Sequence, residues 1–226
     1  MDTRYLRQSG FIEEGLFVEP ISVIGVGSIG SFVALTLCKM GFKDVTVWDF
    51  DKVEEHNLPN QFYRVKDLGK EKVEALREIV GEFEGVRIKK NGRWLEENVP
   101  EGIVILAVDN MEIRRGVFEK GRRMKSIKFL LDGRMAGLQG EVYAVDMADE
   151  GEMERYEESL WTDGEASEMP CGQKAIIFNV LWIASLIAGQ LRLMLQGKAV
   201  KPCVLMDMEN MEMLSLVSRG EGRVEC

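Results

Sequence analysis

Short apolar runs alternate with amphipathic stretches along the first two thirds of the chain, and this alternation predicts strands interleaved with helices. The predicted strands are residues 21–24, 45–48, 86–89, 103–108, 128–131 and 140–145. Helices are predicted over residues 31–40, 67–81 and 111–125, where apolar side chains recur at helical spacing. Strands and helices that alternate in this way indicate a doubly wound α/β sheet.

The last third of the chain has a different pattern. Residues 146–170 are acidic and poor in apolar positions, which predicts a mostly exposed segment with at most a short helix over 152–160. Residues 173–195 are apolar almost all round, so we expect a long helix covered by the sheet and by a second subunit. Residues 204–207 and 211–217 read as a terminal β-hairpin.

Composition narrows the class of protein. With 226 residues and 46% hydrophobic content, the chain is long enough for one domain with a proper core. A net charge of −9 leaves no basic excess for a nucleic-acid partner. No clean membrane-spanning stretch and no signal sequence are evident, so we expect a soluble cytoplasmic protein. The cysteines lack CxxC spacing and predict no zinc; they are Cys38, Cys171, Cys203 and Cys226.

A glycine-rich turn joins the first predicted strand to the first helix. Gly25 allows a sharp turn, Gly27 lets a phosphate approach the backbone, and Gly30 lets the helix lie close to the strand. The N-terminus of the helix, beginning near Ser28, offers free N–H groups and a partial positive charge. This combination predicts a nucleotide site.

Acidic residues follow two other predicted strands. Asp49 comes about twenty residues after the last glycine, where a carboxylate would accept from ribose hydroxyls. Asp109 follows strand 103–108. Because ligands of such sheets bind beyond the carboxyl ends of the strands, both side chains are expected at one site, with one on ribose and the other on Mg²⁺.

The sequence allows two interpretations for each of four other features: the N-terminal segment, a pair of lysines, one cysteine and the single histidine. Residues 1–12 predict a short helix whose Arg4 and Arg7 are either solvated or reach an anionic ligand in a neighbouring subunit. Lys70 and Lys72 in the first turn of a helix either face solvent or bind an anion. We interpret Cys38 as a packing residue rather than a reactive thiol, and His56 as incidental or structural rather than chemical.

Several short motifs together resemble the MoeB/ThiF/HesA superfamily, the adenylating domain of ubiquitin-activating enzymes. The match runs in register over roughly residues 4–115, and residues 133–140 with the long later helix are similar in layout. The motifs are Arg4-Tyr-Leu-Arg7-Gln8, Gly25-x-Gly27-x-x-Gly30, Asp49-Phe-Asp51-x-Val53, Asn57-Leu-x-x-Gln61, Gly69-Lys-x-Lys72-Val and Asp109-Asn110. The resemblance implies a Rossmann-like fold and ATP-dependent adenylation of a carboxylate, usually the C-terminal glycine of a ubiquitin-like protein, by a dimer.

The resemblance also implies residue roles. Catalytic roles fall on Arg7, acting in the partner subunit's site, and on Lys72, Asp109 and Cys171; Asp109 would also hold Mg²⁺. The residues implied to bind ATP are Gly25, Gly27, Ser28, Gly30, Asp49, Asp51, Asn57, Gln61, Lys72 and Asn110. A single domain would then comprise an arm (1–12), a nucleotide-binding core (20–145), an acidic crossover segment (146–171) and a long helix with hairpin (172–226).

The sequence departs from the family pattern at one position. Asn60 stands where the family usually has an arginine, and an amide cannot replace a bidentate guanidinium on phosphate. Arg64 is a candidate substitute for it. Cys171 lies before the long helix, similar to the crossover loop where several members carry an acyl-capturing thiol; the alternative is an ordinary loop cysteine.

Three functions remain open at this point. The first is adenylation of the C-terminus of a ubiquitin-like or sulfur-carrier protein or peptide by a homodimer, with possible transfer to a thiol. The second is a catalytically degenerate or partner-dependent subunit, which Asn60 suggests. The third is an NAD-dependent oxidoreductase, which shares the glycine loop and Asp49 but leaves Asp109 and Lys72 unexplained.

Overall fold

A single mixed sheet runs through the part of the chain that the computed structural model describes, which is residues 3–12, 18–86, 88–92, 94, 97–99, 101–160 and 175–216. The strands are β1 (Ile21–Ile24), β2 (Val45–Trp48), β3 (Lys89–Asn91), β4 (Gly102–Leu106), β5 (Ile127–Ala136), β6 (Gln139–Asp146), β7 (Cys203–Asp207) and β8 (Glu212–Leu216). The helices are α1 (Ser28–Met40), α2 (Lys72–Glu84), α3 (Met111–Met124), α4 (Glu150–Glu158) and α5 (Ile177–Leu195). A 3-10 helix, Thr3–Gln8, precedes them.

The strand order is β3-β2-β1-β4-β5-β6-β7-β8. In this order, the neighbouring strands from β3 through β2, β1 and β4 to β5 pair in parallel. The neighbouring strands from β5 to β8 pair antiparallel. The chain moves outward from β1 to β2 and β3, and then returns to place β4 on the other side of β1. Such a reversal creates a crevice beyond the carboxyl ends of β1 and β4, which is where open α/β sheets bind ligands. The doubly wound α/β fold predicted from the pattern is confirmed.

Two apolar layers cover the sheet. On one face α1, α2 and α5 bury their apolar sides against the strands, and on the other face α3 and α4 do so. All five residues of β4 are buried, as its continuous apolar run predicts for a central parallel strand. Gly41 ends α1 in the left-handed conformation, with φ of 111°.

Some predicted boundaries were wrong. Helix α2 begins at Lys72 rather than at residue 67, because residues 65–67 form a 3-10 turn and Gly69 takes a φ of +81°. Strand β3 starts at Lys89, later than predicted. Strands β5 and β6 are longer than their apolar runs, because they pair with each other as an antiparallel hairpin from Phe129 to Asp146.

The acidic segment after β6 is less exposed than predicted. Helix α4 buries Met153 and Tyr156, and Leu160, two residues after its end, is buried with them; all three pack with α3 and the sheet. Glu150, Glu154 and Glu158 are exposed, whereas Glu152 accepts from the Asp146 N–H at 2.7 Å. The remainder of the predicted exposed segment, from residue 161 onward, lies outside the described residues.

Helix α5 packs closely on the hairpin of β5 and β6. A Cβ built on Gly133 would lie 2.8 Å from Ile187 Cδ1, and one built on Gly140 would lie 2.9 Å from Ile183 Cδ1. By length and composition alone this helix is able to span a membrane, but half of its most apolar window is buried in the protein, as in a core helix. The predicted cover by the sheet is confirmed, whereas cover by a second subunit stays a prediction. The predicted terminal hairpin is also confirmed as β7 and β8.

Candidate functional site

In the glycine turn between β1 and α1, a side chain would clash at Gly25 and Gly30 but would fit at Gly27. A Cβ on Gly25 would lie 2.7 Å from the Ala107 carbonyl oxygen, and one on Gly30 would lie 1.9 Å from the Gly25 carbonyl oxygen. At Gly27 the nearest atom would be Nε2 of Gln61, at 3.8 Å. No side chain in the described part of the chain caps α1, so its first N–H groups have no capping side chain there. The turn therefore offers a cradle for an anion.

Asp49 fixes the shape of this turn. Its Oδ2 accepts from the Val26 N–H at 2.9 Å, and its Oδ1 accepts from the Asp51 N–H at 2.8 Å. Burial raises the pKa of Asp49, and the hydrogen bond from Asp51 and the charge of Lys72 only partly oppose this. Asp49 thus has a structural task that sequence reasoning did not foresee, while its contact with ribose stays a prediction.

Lys72 is the first residue of α2, and its side chain contacts the turn after β2. Its Nζ donates to Asp51 Oδ2 at 3.0 Å, and its side chain is only 8% exposed. Asp51 is half exposed at the surface of the crevice. Lys70 was wrongly predicted within the first turn: it precedes the helix and pairs with Glu78 at 2.5 Å, so its charge is used locally.

The segment after β2 brings two polar side chains beside the glycine turn. Asn57 is buried and its Oδ1 accepts from the Glu54 N–H at 3.0 Å, closing a 3-10 turn. Gln61 lies against Gly27, and its Oε1 is buried without a hydrogen-bond partner among the described residues. A buried acceptor of this kind marks a place where a ligand or water completes the structure.

Two residues that sequence reasoning missed fasten this segment to the turn. Tyr63 donates its buried hydroxyl to the Val26 carbonyl at 2.6 Å. The Ser31 hydroxyl accepts from the Phe62 N–H at 3.0 Å. The one available signal was a polar residue, Ser31, on the buried face of an apolar helix. Together these bonds hold the 57–63 segment in place beside the glycines.

Asn60 and Arg64 are both engaged in other contacts. Nδ2 of Asn60 donates to the Ala175 carbonyl at 3.3 Å. Arg64 forms a salt bridge with Asp67 at 2.7 Å and another with Glu82. The suggestion that Arg64 substitutes for the missing arginine stays a prediction, and in this structure its guanidinium is paired with these two carboxylates.

Asp109 and Asn110 follow β4. The Asp109 side chain is exposed, and Asn110 caps α3 by accepting from the Ile113 N–H at 3.0 Å. Asp109 and Asp49 stand after β4 and β2, the two neighbours of β1, so both lie at the same edge of the sheet. Among the described residues no three histidine, cysteine or acidic side chains gather into a metal-binding group, and the role of Asp109 on Mg²⁺ stays a prediction.

The other predicted catalytic residues lie elsewhere. Arg7 is exposed on the N-terminal 3-10 helix, whose Gln8 donates to the Lys39 carbonyl at 2.8 Å, at the far end of α1. Twelve residues of helix separate that point from Gly27 by about 18 Å, so Arg7 does not reach the site of its own chain. Cys171 lies outside the described residues, and His56 is exposed beside Glu54. Cys38 is fully buried, as a packing residue should be.

The glycine turn at the reversal of strand order, with acidic residues beyond both flanking strands, defines a Rossmann-like α/β protein. The chain belongs to the ThiF family, whose model matches residues 13–216.

Relatives and solved structures agree with this assignment. The chain is 27% identical over 174 residues to the NEDD8-activating enzyme E1 catalytic subunit of Arabidopsis thaliana, covering 64% of this chain and 38% of that protein. It is 31% identical over 135 residues to ubiquitin-like modifier-activating enzyme 5 of Xenopus laevis, covering 50% and 34%. The chain thus spans little more than a third of these relatives. The structure of E. coli MccB with ATP superimposes with a TM-score of 0.78 at 15% identity, over 96% of this chain and 71% of MccB, which shows a shared fold.

Proposed function

We propose that this protein uses ATP to adenylate a carboxylate. The observation that carries the proposal is the set of groups beside the glycine turn: the Lys72–Asp51 pair, Gln61, whose oxygen has no partner among the described residues, and Asp109 after the neighbouring strand β4. A dinucleotide oxidoreductase would need the turn and Asp49, but it has no use for a buried lysine beside the phosphates.

The residues present fit ATP and Mg²⁺. The space in front of Gly27 and the free start of α1 suit a phosphate group. Asp109 would hold Mg²⁺, which binds proteins through one or two carboxylates and takes its other oxygens from phosphate and water. Bound Mg²⁺ supplies neutralisation of the phosphate charge. Asp49 would orient the ribose, and Asn57, Gln61 and Lys72 would line the triphosphate.

In the proposed reaction the substrate carboxylate is the nucleophile. One of its oxygens bonds to the α-phosphorus of ATP while the bond from that phosphorus to the bridging oxygen breaks, giving an acyl-adenylate and pyrophosphate. Negative charge accumulates on the phosphoryl oxygens during this step. Lys72 and the N–H groups of α1 are held in place beforehand and stabilise that charge. No general base is needed, because the carboxylate is already ionised.

The substrate we propose is the C-terminus of a ubiquitin-like or sulfur-carrier protein, or of a peptide. Support comes from the relatives, whose names describe activation of NEDD8 and of ubiquitin-like modifiers, and from two structures of the fold neighbour MccB, one with ATP and the other with AMPCPP and MccA. In a later step of the same proposal, the thiolate of Cys171 attacks the acyl carbon of the adenylate, and a thioester forms as AMP leaves.

We also propose a cytoplasmic homodimer in which Arg7 serves the partner's site. The distance of Arg7 from its own crevice supports this arrangement, as does the apolar outer face of α5, where Phe178 is 43% and Leu181 is 46% exposed. Mixing Arg7→Ala protein with Lys72→Met protein tests it: a shared site predicts recovery of part of the activity in the mixture. Activity no higher than the sum of the two variants would contradict it.

Exchange of radiolabelled pyrophosphate into ATP is the direct test of adenylation. The carboxylate probes are small ubiquitin-like proteins and peptides ending in glycine. We expect exchange with some of them, and a loss of at least about 100-fold in Asp109→Asn, since charge stabilisation of this kind contributes that much. Unchanged exchange in Asp109→Asn would overturn its role.

A second candidate function is a partner-dependent subunit without turnover of its own. The observation that favours it is the pairing of Arg64 with Asp67 and Glu82, which leaves no guanidinium from this segment free for phosphate. In that case Asn60→Arg should restore or raise exchange. Robust exchange by the purified wild-type protein alone would remove this candidate.

A further inference from the structure

A buried cluster of charges lies directly beneath the turn that carries Asp109. Asp132 of β5 is fully buried. Its Oδ1 accepts from Arg114 Nε at 2.9 Å, and its Oδ2 accepts from Arg134 Nε at 2.7 Å and from the Tyr156 hydroxyl at 3.0 Å. The side chains of both arginines are less than a tenth exposed. One carboxylate therefore organises two guanidinium groups from different parts of the fold.

Arg114 connects Asp132 to the end of β4. Its Nη2 donates to the Val108 carbonyl and, at 3.4 Å, to the Gly133 carbonyl. Val108 immediately precedes Asp109 in the chain. The Arg114 guanidinium thus holds the backbone next to Asp109, and Asp132 in turn orients this guanidinium.

Arg134 and Tyr156 connect the same carboxylate to α4. Arg134 Nη1 donates to the Ser159 carbonyl and its Nη2 to the Ser159 hydroxyl, each at 3.0 Å. Its guanidinium also lies 4.3 Å from the centre of the Tyr143 ring. The C-terminal end of α4 and the turn before Asp109 therefore share one buried anchor.

We infer that Asp132 and Arg114 are positioning residues for Asp109, which set the geometry in which Asp109 receives a nucleotide-bound cation; this rests on the proposed function. A buried ion cluster is often no more stabilising than apolar residues of the same volume. In this protein the cluster fixes the geometry of the backbone before Asp109, because the planar guanidinium of Arg114 holds the Val108 carbonyl and the Asp132 carboxylate at fixed angles.

Arg114→Lys is the variant that tests the inference. Lysine keeps the positive charge beside Asp132 but cannot bridge the carboxylate and the Val108 carbonyl with one rigid group. The matched control is Arg122→Lys on the same helix. Arg122 also joins α3 to α4, through Glu150 and Glu157 at 2.9 Å each, but it does not contact Asp132.

The primary readout is the ratio of the ATP dissociation constants in EDTA and in Mg²⁺, measured by calorimetry. We expect Arg114→Lys to lose most of the gain in affinity that Mg²⁺ gives the wild type, to the level of Asp109→Asn, while the affinity in EDTA stays within about twofold. Arg122→Lys should keep the wild-type ratio. A wild-type ratio in folded Arg114→Lys, or an equal loss in Arg122→Lys, would overturn the inference.

Hydrogen exchange of the unliganded protein separates failure of this inference from failure of the proposed function. If the wild type does not bind ATP, the proposed function fails, and the exchange rates of the amides of residues 108–111 then decide the positioning role. Faster exchange there in Arg114→Lys, with β1 and α1 unchanged, supports it. If Arg114→Lys does not fold, Tyr156→Phe is measured instead, and unchanged rates at 108–111 in the variant used contradict the inference.

Discussion

At the scale of single residues, side chains of the candidate site form hydrogen bonds that fix the backbone of the glycine turn. Asp49 accepts from two N–H groups that shape the glycine turn and the turn after β2, and Tyr63 donates to the Val26 carbonyl between them. Such bonds fix the open space in front of Gly27. Preorganisation of this kind lets a site stabilise charge without moving during the reaction.

The glycines provide a test of this description. Gly30→Ala should destabilise the protein by about 3 kcal/mol or more, because the new Cβ would overlap the Gly25 carbonyl oxygen at 1.9 Å. Gly27→Ala should leave the free energy of unfolding within about 1 kcal/mol, because the nearest atom to the new Cβ, Nε2 of Gln61, would lie at an ordinary contact distance of 3.8 Å. Urea unfolding of both variants measures the difference. Equal destabilisation by the two substitutions would contradict the geometry.

Thiol reactivity gives a second test at this scale. Burial raises the pKa of Cys38 to about 12 and that of Cys203 to about 11. A raised thiol pKa leaves little thiolate at pH 8, and the thiolate is the reactive form. In the Cys171→Ser/Cys226→Ser double variant, we therefore expect almost no reaction with a disulfide reagent until the protein is unfolded. Rapid labelling of the native double variant would show that these thiols are accessible.

At the scale of elements, local signals identified the strands and helices that carry the site. The glycine turn, β1, β2 and α1 were predicted correctly, because their apolar runs and caps are encoded within a few residues. Strand β4 was predicted in the right place but ends at Leu106 rather than at residue 108. The docking of α4 was missed, since Met153, Tyr156 and Leu160 find their partners on α3 and β6 rather than nearby in sequence. For the same reason no local pattern revealed Asp132 with Arg114 and Arg134.

The anchoring of α4 predicts an acid dependence of stability. Burial alone would raise the pKa of Asp132, but the charges of Arg114 and Arg134 outweigh it and hold the pKa below its usual value of 3.8. The stabilisation is therefore fully present above about pH 4 and is lost as the pH falls through the lowered folded value. Urea unfolding between pH 6 and pH 2.5 should show a shallower acid loss in Asp132→Asn than in the wild type. Parallel curves would contradict the assignment.

At the scale of the whole molecule, the crevice proposed to bind ATP lies at one edge of the sheet, and Arg7 lies away from it. The arm with Arg7 is held at the far end of α1, and α5 exposes part of an apolar face. Sequence reasoning located the crevice residues through a family resemblance and strand-end positions. The sequence did not predict the hydrogen bonds and ion pairs among these residues, because they depend on how separate loops come together in the fold.

The most direct measurement is the stability of the purified protein with Mg-ATP, with ATP and EDTA, and with NAD. At a concentration about a hundredfold above the dissociation constant, a ligand stabilises the folded state by about 2.7 kcal/mol. We predict that Mg-ATP stabilises the wild type and stabilises Lys72→Met less, whereas NAD has no effect. Stabilisation by NAD and not by Mg-ATP would contradict the assignment of this crevice to adenylation.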